Sequence, residues 1–366
     1  MEEKLLRRIR EFDFYSGNRE SFYGKIDNHK AVLVQGRHQK KPPEVTILIP
    51  TFKRRDLLKQ ALDSALAQEQ VRDYQVIVAD NEGIPCGVDT DTSKLIQTYH
   101  DDRLIYYRYD RQIAQRMDSI AALARSKWIC FLHDDDVLAP NHLSTMLKIV
   151  RAHKKISFLA CDLVNFTGDI NEESMQKYCA VKERMIRVKK DIRKGYYFYT
   201  ERANWLGALI DRKRYIQMGG MPDMPIIIGD HVMVGNYNQR YGVYRITGGP
   251  ILYFRRQFDG QLTAKGADIW TDCYTNEMLF YRYLASKTVL FRNLFVYKGM
   301  RMIRDNIISF QNGFYDTRMN CDEIMERCGI EEMTWLQRKI CCYMDVMICE
   351  FMKWYIKHQK VLCVEV

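Results

Sequence analysis

Three consecutive carboxylates at the end of an apolar run point to the binding of a hard cation. The run WICFL (128–132) is followed directly by His133, Asp134, Asp135 and Asp136. Neighbouring carboxylates repel one another, so such a cluster favours a bound cation. Mg²⁺ and Mn²⁺ prefer oxygen ligands and often combine carboxylates with substrate phosphates. The pattern predicts a metal–diphosphate site, with a solvated acidic turn or a helix N-cap as the structural alternative.

Two further apolar runs also end in polar residues. YQVIVA ends at Asp80, whose carboxylate could accept a hydrogen bond from a base or a ribose. VTILIP ends at Pro50, after which Thr51 offers a hydroxyl and a backbone amide to a ligand. A capping role for Asp80 and an ordinary strand-to-helix turn at Thr51 both stay open. The sequence contains neither GxGxxG nor GxxxxGK[ST], so it supports neither a Rossmann dinucleotide site nor a P-loop.

Alternating strand and helix patterns must position these residues. Short β-branched runs predict strands, and apolar residues at three- and four-residue spacing predict helices. The predicted strands are Val45–Pro50, Tyr74–Ala79, Leu104–Tyr109, Trp128–Leu132 and Ser157–Val164. The predicted helices are Arg55–Gln68, Thr90–Tyr99, Met117–Ala124 and Asn141–Ala152. This order predicts an α/β fold with a mostly parallel central sheet and helices on both faces, where ligands bind beyond the carboxyl ends of the strands.

The remaining segments predict how the chain divides. Residues 1–43 read as a basic N-terminal extension with a short docking helix near its start, ended by Pro42 and Pro43. Later strands are predicted at Asn204–Ile210 and Tyr244–Phe254, and the chain reads as helical from about residue 268. We therefore expect one α/β domain at 44–265, with halves at 44–165 and 166–265, and a helical C-terminal region at 266–366.

Composition excludes several classes of protein. The 366 residues are 47% hydrophobic and 28% charged, which is typical of a globular protein. The apolar runs are too short for a membrane span, and the N-terminal MEEKLLRRIR lacks the apolar centre of a signal peptide. The eleven cysteines contain no CxxC pair, so we expect a reducing cytoplasm rather than disulfides or structural zinc. The net charge of +10 is not confined to one tail, although it is locally dense at Lys182–Lys194. Charge alone therefore names no partner, and we expect no nucleic acid among the partners.

Taken together, these segments resemble family 2 glycosyltransferases, which have the nucleotide-diphospho-sugar transferase (GT-A) fold. VTILIPTFKRRDLLKQALDSALAQ is similar to that family's opening strand and helix, and YQVIVADNEG to its second strand. RQIAQRMDSIAALARSKWICFLHDDDVLAPNHL looks like its helix, strand and DxD motif. NWLGALIDRKRYIQMGGMP and IIIGDHVMV resemble the later strand, the Gly-Gly turn and the acidic acceptor helix. The resemblance covers roughly residues 44–263.

The resemblance implies a role for each matching position. Asp80 would bind the base or ribose of a sugar nucleotide beside Pro50 and Thr51, and Arg116 and Asp118 would line the nucleotide or the sugar. Asp135 would coordinate Mn²⁺ or Mg²⁺, with Asp134 as a ligand or a ribose contact. Asp230 would be the catalytic base that takes the acceptor's proton in an inverting transfer.

This chain departs from the family pattern at three places. His133 stands where many members have the first Asp of DxD, which leaves the first metal ligand open, with Asp136 as a substitute. Gly229 precedes Asp230 where members usually have Glu. LYFRRQFDGQLT lacks the His of the usual Arg-x-His, so metal binding could be weaker, or Arg256 could hold the diphosphate directly.

The implied activity is transfer of a sugar from a nucleoside-diphosphate sugar, with UDP favoured, to a hydroxyl of a glycan or a lipid-linked acceptor. Surface polysaccharide synthesis, in the cytoplasm or peripherally at the inner face of the membrane, is the usual setting for such an enzyme. The helix predicted around Trp335–Ile356 has apolar residues on one face and basic residues nearby, as in a membrane-surface helix, a docked core helix or a homodimer contact. A nucleotidyltransferase of similar fold and a non-catalytic nucleotide- or glycan-binding relative are the alternative functions.

Overall fold

The computed structural model describes most of the α/β region and two long C-terminal helices. The described residues are 31–113, 116–179, 185–191, 203–221, 229–258, 291–311 and 333–365, with the single positions 278, 281, 285, 324 and 326. The helix predicted near the N-terminus lies outside the described residues.

Thirteen described strands form two sheets. They are β1 (Ala31–Gln35), β2 (Val45–Thr51), β3 (Tyr74–Asp80), β4 (Leu104–Tyr109), β5 (Trp128–Phe131), β6 (Val137–Leu138), β7 (Phe158–Ala160), β8 (Leu163–Phe166), β9 (Met185–Lys190), β10 (Leu209–Asp211), β11 (Tyr244–Thr247), β12 (Tyr253–Arg256) and β13 (Leu362–Glu365). The large sheet has the order β1-β4-β3-β2-β5-β10-β7-β11-β9-β13, and the small one has the order β6-β12-β8.

The centre of the large sheet is parallel. Strands β4, β3, β2 and β5 are parallel neighbours, and every residue in them is buried. This burial explains why the sequence of each strand is a continuous apolar run. The register pairs Thr51 with Asp80 and Leu48 with Phe131, so the carboxyl ends of these strands lie side by side. The predicted α/β fold class is confirmed, although pairing beyond β5 is mixed because β10 is antiparallel to both of its neighbours.

Nine helices are described in the same regions. They are α1 (Arg55–Leu66), α2 (Asp91–Gln97), α3 (Arg116–Leu123), α4 (His142–Ala152), α5 (Glu172–Cys179), α6 (Arg212–Gln217), α7 (Gly229–Tyr241), α8 (Arg292–Gln311) and α9 (Trp335–Lys357). The first four confirm the predicted helices. Helix α2 begins in a capping box, in which Thr90 Oγ1 accepts from the Ser93 amide at 3.0 Å and Ser93 Oγ accepts from the Thr90 amide at 2.7 Å.

Two predicted strands were wrong in their extent. Ser157–Val164 and Tyr244–Phe254 were each expected to be one strand, but each is split between the two sheets. The chain leaves β7 in the large sheet and enters β8 in the small one, and it does the same between β11 and β12. The second break contains Gly248, Gly249 and Pro250, which suit a turn rather than a ladder. The predicted strand at Asn204–Ile210 is likewise only the short β10.

Two edge strands were not predicted. Strand β1 pairs antiparallel with β4, and β13 pairs antiparallel with β9, so both ends of the described chain join the large sheet. Helices α8 and α9 agree with the expected helical C-terminal region, to which β13 is an addition. The domain boundaries near residues 43 and 266 stay predictions.

The described helices and cysteines can be compared with a membrane span and with apolar packing. Within the described chain, each helix is too short or too polar to cross a lipid bilayer. Seven cysteines with described side chains are free thiols, and three of them, Cys130, Cys161 and Cys341, are buried.

Candidate functional site

The acidic cluster lies in the loop from β5 to β6, at the carboxyl end of the parallel strands. Asp134 faces the end of β2, where Thr51 Oγ1 donates to its Oδ2 at 2.9 Å. The Phe52 amide lies 3.4 Å from the same oxygen. The predicted strand-end residues Thr51 and Asp134 are therefore in direct contact.

Arg54 is a cation in direct contact with this cluster, and sequence reasoning missed it. Its Nη1 atom donates to Asp134 Oδ1 at 3.1 Å and to Asp135 Oδ2 at 2.9 Å, so a single nitrogen bridges two carboxylates. Burial raises the pKa of Asp134, and the charge of Arg54 opposes that rise. The available signal was the basic KRR stretch, residues 53–55, which lies just after β2.

Asp136 connects the cluster to the small sheet. Its Oδ2 accepts from the Tyr253 hydroxyl at 2.6 Å, and its Oδ1 accepts from the Arg256 amide at 2.8 Å. Burial raises the pKa of Asp136 to about 6, while these hydrogen bonds act in the opposite direction. Strand β12 therefore fixes the orientation of Asp136.

His133, Asp135 and Asp136 form a group able to hold a metal ion. One ligand atom from each lies within 4.8 Å of the others, and among the described residues these three make up the metal-competent group. His133 Nε2 is buried without a hydrogen-bond partner. The departure at position 133 thus supplies an imidazole nitrogen where a carboxylate was expected. Asp134, a predicted ligand, lies outside this group and faces Thr51 and Arg54 instead.

Arg256 supports the loop that carries the cluster. Its Nε donates to the backbone carbonyl of Asp135 at 3.0 Å, and its Nη atoms contact the Gly168 carbonyl and Gln60 Oε1. The guanidinium is buried and lies over the Phe166 ring at 4.5 Å. In this structure the Arg256 guanidinium donates its hydrogen bonds to other residues of the protein, and its expected contact with a diphosphate stays a prediction.

Asp80 is buried at the end of β3, beside Thr51 and Pro50 of β2. Its Oδ2 accepts from the Tyr106 hydroxyl at 2.8 Å, and its Oδ1 accepts from the Glu82 amide at 2.9 Å. Burial raises the pKa of Asp80 despite these hydrogen bonds. The carboxylate therefore orders the loop after β3, and its role toward a nucleotide stays a prediction.

The side chain of Asp118, in the first turn of α3, holds the Gly-Gly turn after α6. Its Oδ1 accepts from the Tyr215 hydroxyl at 2.7 Å and from the Met221 amide at 3.1 Å. Gly220 has a φ of +68°, and a Cβ atom there would lie 2.0 Å from Asp118 Oδ1. Arg116 begins the same helix, but its side chain lies outside the described part of the chain.

Asp230 lies in the first turn of α7, where the helix dipole favours a carboxylate. Trp205 Nε1 donates to Asp230 Oδ2 at 3.1 Å. The Trp205 ring also meets the His133 ring edge to face, with centroids 5.6 Å apart. One indole thus connects the predicted base with the metal-competent group, a link that the sequence did not indicate although NWLG was part of the resemblance.

The geometry combines two chemical capacities. A group of carboxylates and an imidazole can hold a cation beside bound phosphates, and a half-buried carboxylate nearby can accept a proton. The loop after β5 places the acidic group at the carboxyl edge of the sheet, as expected for an open α/β fold, and the Trp205 indole links Asp230 to it.

Comparison with known proteins gives sequence matches in the same region. Residues 46–210 match the family model for glycosyl transferase family 2. The succinoglycan biosynthesis protein ExoO of Rhizobium meliloti is 33% identical over 132 residues, which is 35% of this chain and 36% of that protein. The GalNAc(5)-diNAcBac-PP-undecaprenol beta-1,3-glucosyltransferase of Campylobacter jejuni is 26% identical over 136 residues, 36% of this chain and 42% of that protein. The matches thus span less than half the length of either relative.

Solved structures agree on the fold. TarS 1-349 of S. aureus in complex with UDP-GlcNAc aligns with a TM-score of 0.54 at 12% identity, over 74% of this chain and 76% of that one. Its complex with UDP gives a TM-score of 0.52 at 12% identity, over 77% of each chain. The expected resemblance to family 2 is confirmed over residues 46–210 by the family model, and the expected fold by the likeness to TarS. Residues 46–210 of the chain, less than half of its length, are thus similar to glycosyl transferase family 2.

Proposed function

We propose that this protein transfers a sugar from a nucleoside-diphosphate sugar to a hydroxyl group, with inversion at the anomeric carbon. The observation that carries the proposal is the placement of Asp230 one indole ring away from the group formed by His133, Asp135 and Asp136. Such a transfer needs a base for the acceptor and charge neutralisation for the leaving diphosphate, and these residues suit both needs.

The donor would bind along the carboxyl ends of β2, β3 and β5. Asp80 and Thr51 are register partners at the ends of their strands, and Asp134 contacts Thr51. We assign the base and ribose to this edge, with Arg116 and Asp118 lining the nucleotide or the sugar. TarS is described as a complex with UDP-GlcNAc and with UDP, so UDP-sugars are the first donors to test.

A divalent cation fits the residues that are present. His133 Nδ1 lies 3.7 Å from Asp136 Oδ2, and one ligand atom from each of His133, Asp135 and Asp136 lies within 4.8 Å of the others. We assign the ion to His133, Asp135 and Asp136, and a nitrogen ligand favours Mn²⁺ over Mg²⁺. When bound, the cation would neutralise charge on the leaving diphosphate.

Asp230 would act as the base. The acceptor oxygen attacks the anomeric carbon as the bond from that carbon to the diphosphate oxygen breaks, and the hydroxyl proton passes to Asp230. Trp205 would position the carboxylate by its hydrogen bond of 3.1 Å. The diphosphate leaves without needing a proton, so this mechanism asks for no second protein acid.

The acceptor we favour is a glycan on a lipid carrier. One relative is named for succinoglycan biosynthesis and another for a PP-undecaprenol substrate, which supports surface polysaccharide synthesis as the setting. A lipid-linked acceptor would bring a cytoplasmic enzyme to the inner face of the membrane.

Release of nucleoside diphosphate from UDP- and GDP-sugars, measured with Mn²⁺ and candidate acceptors, tests the proposal. We expect Asp230→Asn to lower turnover by about 10²–10⁴-fold and to leave donor binding intact, because only the base is lost. Asp56→Asn, on the exposed face of α1, is the control that should keep full activity.

Other outcomes would contradict the proposal. Undiminished turnover in Asp230→Asn would remove Asp230 as the base. Release of pyrophosphate from a nucleoside triphosphate and a sugar phosphate would indicate a nucleotidyltransferase. Donor binding without turnover for every acceptor would favour a non-catalytic relative.

A further inference from the structure

Helix α9 exposes a continuous apolar stripe along its length. Leu336, Ile340, Tyr343, Met347, Phe351 and Trp354 follow one another at three- and four-residue steps. Their exposed fractions lie between 51% and 70%. Since residues at this spacing share one face of a helix, the stripe is a single surface rather than scattered exposure. Aligned apolar side chains of this size at the surface are typical of an interaction site.

The opposite face of α9 already holds the helix against the protein. Cys341 and Met352 are buried, and Cys341 packs with Leu294 of α8. Asp345 is buried between Lys298 Nζ at 2.5 Å and Arg301 Nη1 at 2.7 Å. Docking to α8 therefore uses the face turned away from the stripe, so core packing does not explain the stripe.

Exposed lysines flank the stripe. Lys339, Lys353, Lys357 and Lys360 are exposed, and the nearby acidic Glu350 is paired with Lys353 at 2.7 Å. Lys339 lies 4.6 Å from the centroid of the Trp335 ring. A helix with aromatic and aliphatic residues on one face and lysines beside them matches a helix lying in the interface of an anionic bilayer. The aromatic rings suit the headgroup level, where an apolar body and a polar edge are both satisfied.

From this surface we infer that α9 binds the surface of an anionic membrane, with the stripe inserted among the lipid headgroups and the lysines against their phosphates. The helix lies flat, since it is not apolar enough to cross the bilayer. A second copy of the chain fits the surface less well, because two such helices face to face would bring their lysine rows together. The inference deepens the proposed function by giving the enzyme a route to a lipid-linked acceptor, but vesicle binding needs neither donor nor turnover.

Sedimentation with lipid vesicles tests the inference. We expect the full chain to bind vesicles of phosphatidylcholine with about 30% phosphatidylglycerol and to bind pure phosphatidylcholine far more weakly, with salt reducing the difference. The double variant Met347→Glu/Phe351→Glu should bind the anionic vesicles at least tenfold more weakly, because two negative charges would have to enter the apolar layer. Val32→Glu/Val88→Glu places the same charges on exposed residues of β1 and of the loop after β3, and should bind like wild type.

A second measurement needs no substitution. Trp354 is exposed on the stripe, so insertion should shift tryptophan emission to shorter wavelength when anionic vesicles are added. Equal binding by both double variants, or no vesicle binding by wild type at low salt, would overturn the inference. A dimer in light scattering that Met347→Glu/Phe351→Glu dissolves, without vesicle binding, would assign the stripe to a second copy instead. Vesicle binding with no sugar transfer would leave the inference standing and count against the proposed function alone.

Discussion

Replacing Arg54 with methionine should tighten Mn²⁺ binding. In the structure Arg54 Nη1 bridges Asp134 Oδ1 and Asp135 Oδ2 at 3.1 and 2.9 Å, and Asp135 belongs to the metal-competent group. A cation at that group must share or displace the guanidinium. Removing Arg54 also removes its repulsion of the incoming ion. Methionine keeps an unbranched side chain of similar reach without charge or hydrogen-bond donors.

The size of the effect follows from the geometry. A hydrogen bond to a charged group contributes about 1.5–3 kcal/mol, but here one nitrogen serves both carboxylates and the side chain is 24% exposed. We therefore take about 1–2 kcal/mol for the whole contact, since partial exposure screens it. At 1.4 kcal/mol per factor of ten, Arg54→Met should lower the Mn²⁺ dissociation constant by roughly 5–30-fold.

Calorimetric titration with Mn²⁺ and unfolding in the absence of metal give two readouts. Without metal, Arg54→Met should lose about 1–2 kcal/mol of unfolding free energy, because two buried carboxylates lose their cation. Saturating Mn²⁺ should restore that loss. Arg55→Met removes the neighbouring, largely exposed arginine and should match wild type in both assays. Equal or weaker Mn²⁺ affinity in Arg54→Met than in Arg55→Met would refute the reasoning.

Three other perturbations follow from particular contacts. Trp205→Phe removes the hydrogen bond to Asp230 and should lower kcat about tenfold without changing the KM for the sugar nucleotide. An equal fall in affinity for the sugar nucleotide would contradict a positioning role. Burial lowers the pKa of His142 from 6.5 to about 4, so protonation of this histidine destabilises the folded state as the pH falls from about 6.5 to 4. Over this pH range the free energy of unfolding should fall by up to about 3 kcal/mol less in His142→Gln than in wild type. Denaturant unfolding at a series of pH values measures the difference. An unchanged pH dependence would contradict the buried neutral ring. Gly220→Ala should unfold at a lower temperature than Gly168→Ala, since both have positive φ but only Gly220 meets Asp118; equal melting temperatures would contradict the clash.

The parallel core of the fold could be predicted because its strands are buried on both faces. Segments such as Val45–Pro50 and Tyr74–Ala79 carry a continuous apolar signal that few other structures produce. Their polar ends, Thr51 and Asp80, then had to lie side by side once the strands were parallel neighbours. The sequence order alone therefore located the edge of the sheet where the candidate site lies.

The small sheet could not be predicted, because its signal is too weak. Strand β6 has only two residues, and β8 and β12 follow other strands with turns too short to recognise from the apolar pattern. The edge strand β1 has mostly exposed residues, so it carries no buried face from which pairing could be inferred.

The contacts that shape the site depend on distances that no spacing rule supplies. Arg54 reaches Asp134 across 80 residues, and Trp205 reaches Asp230 across 25. The sequence shows the chemistry of each of these side chains, but it does not show which residue each one contacts in the fold. His133 shows the same limit, since its replacement of an acidic residue suggested a lost ligand until the geometry placed its ring with Asp135 and Asp136.

Thermal unfolding with UDP and GDP, each with and without Mn²⁺, tests the central claim most directly. A nucleotide at about 100 times its dissociation constant should add about 2.7 kcal/mol to the free energy of unfolding. We predict metal-dependent stabilisation by one nucleotide in wild type and in Asp56→Ala, and none in Asp135→Ala relative to its own baseline. No stabilisation of wild type by either nucleotide in any metal condition, or an equal gain in Asp135→Ala, would contradict a donor site at this edge of the sheet.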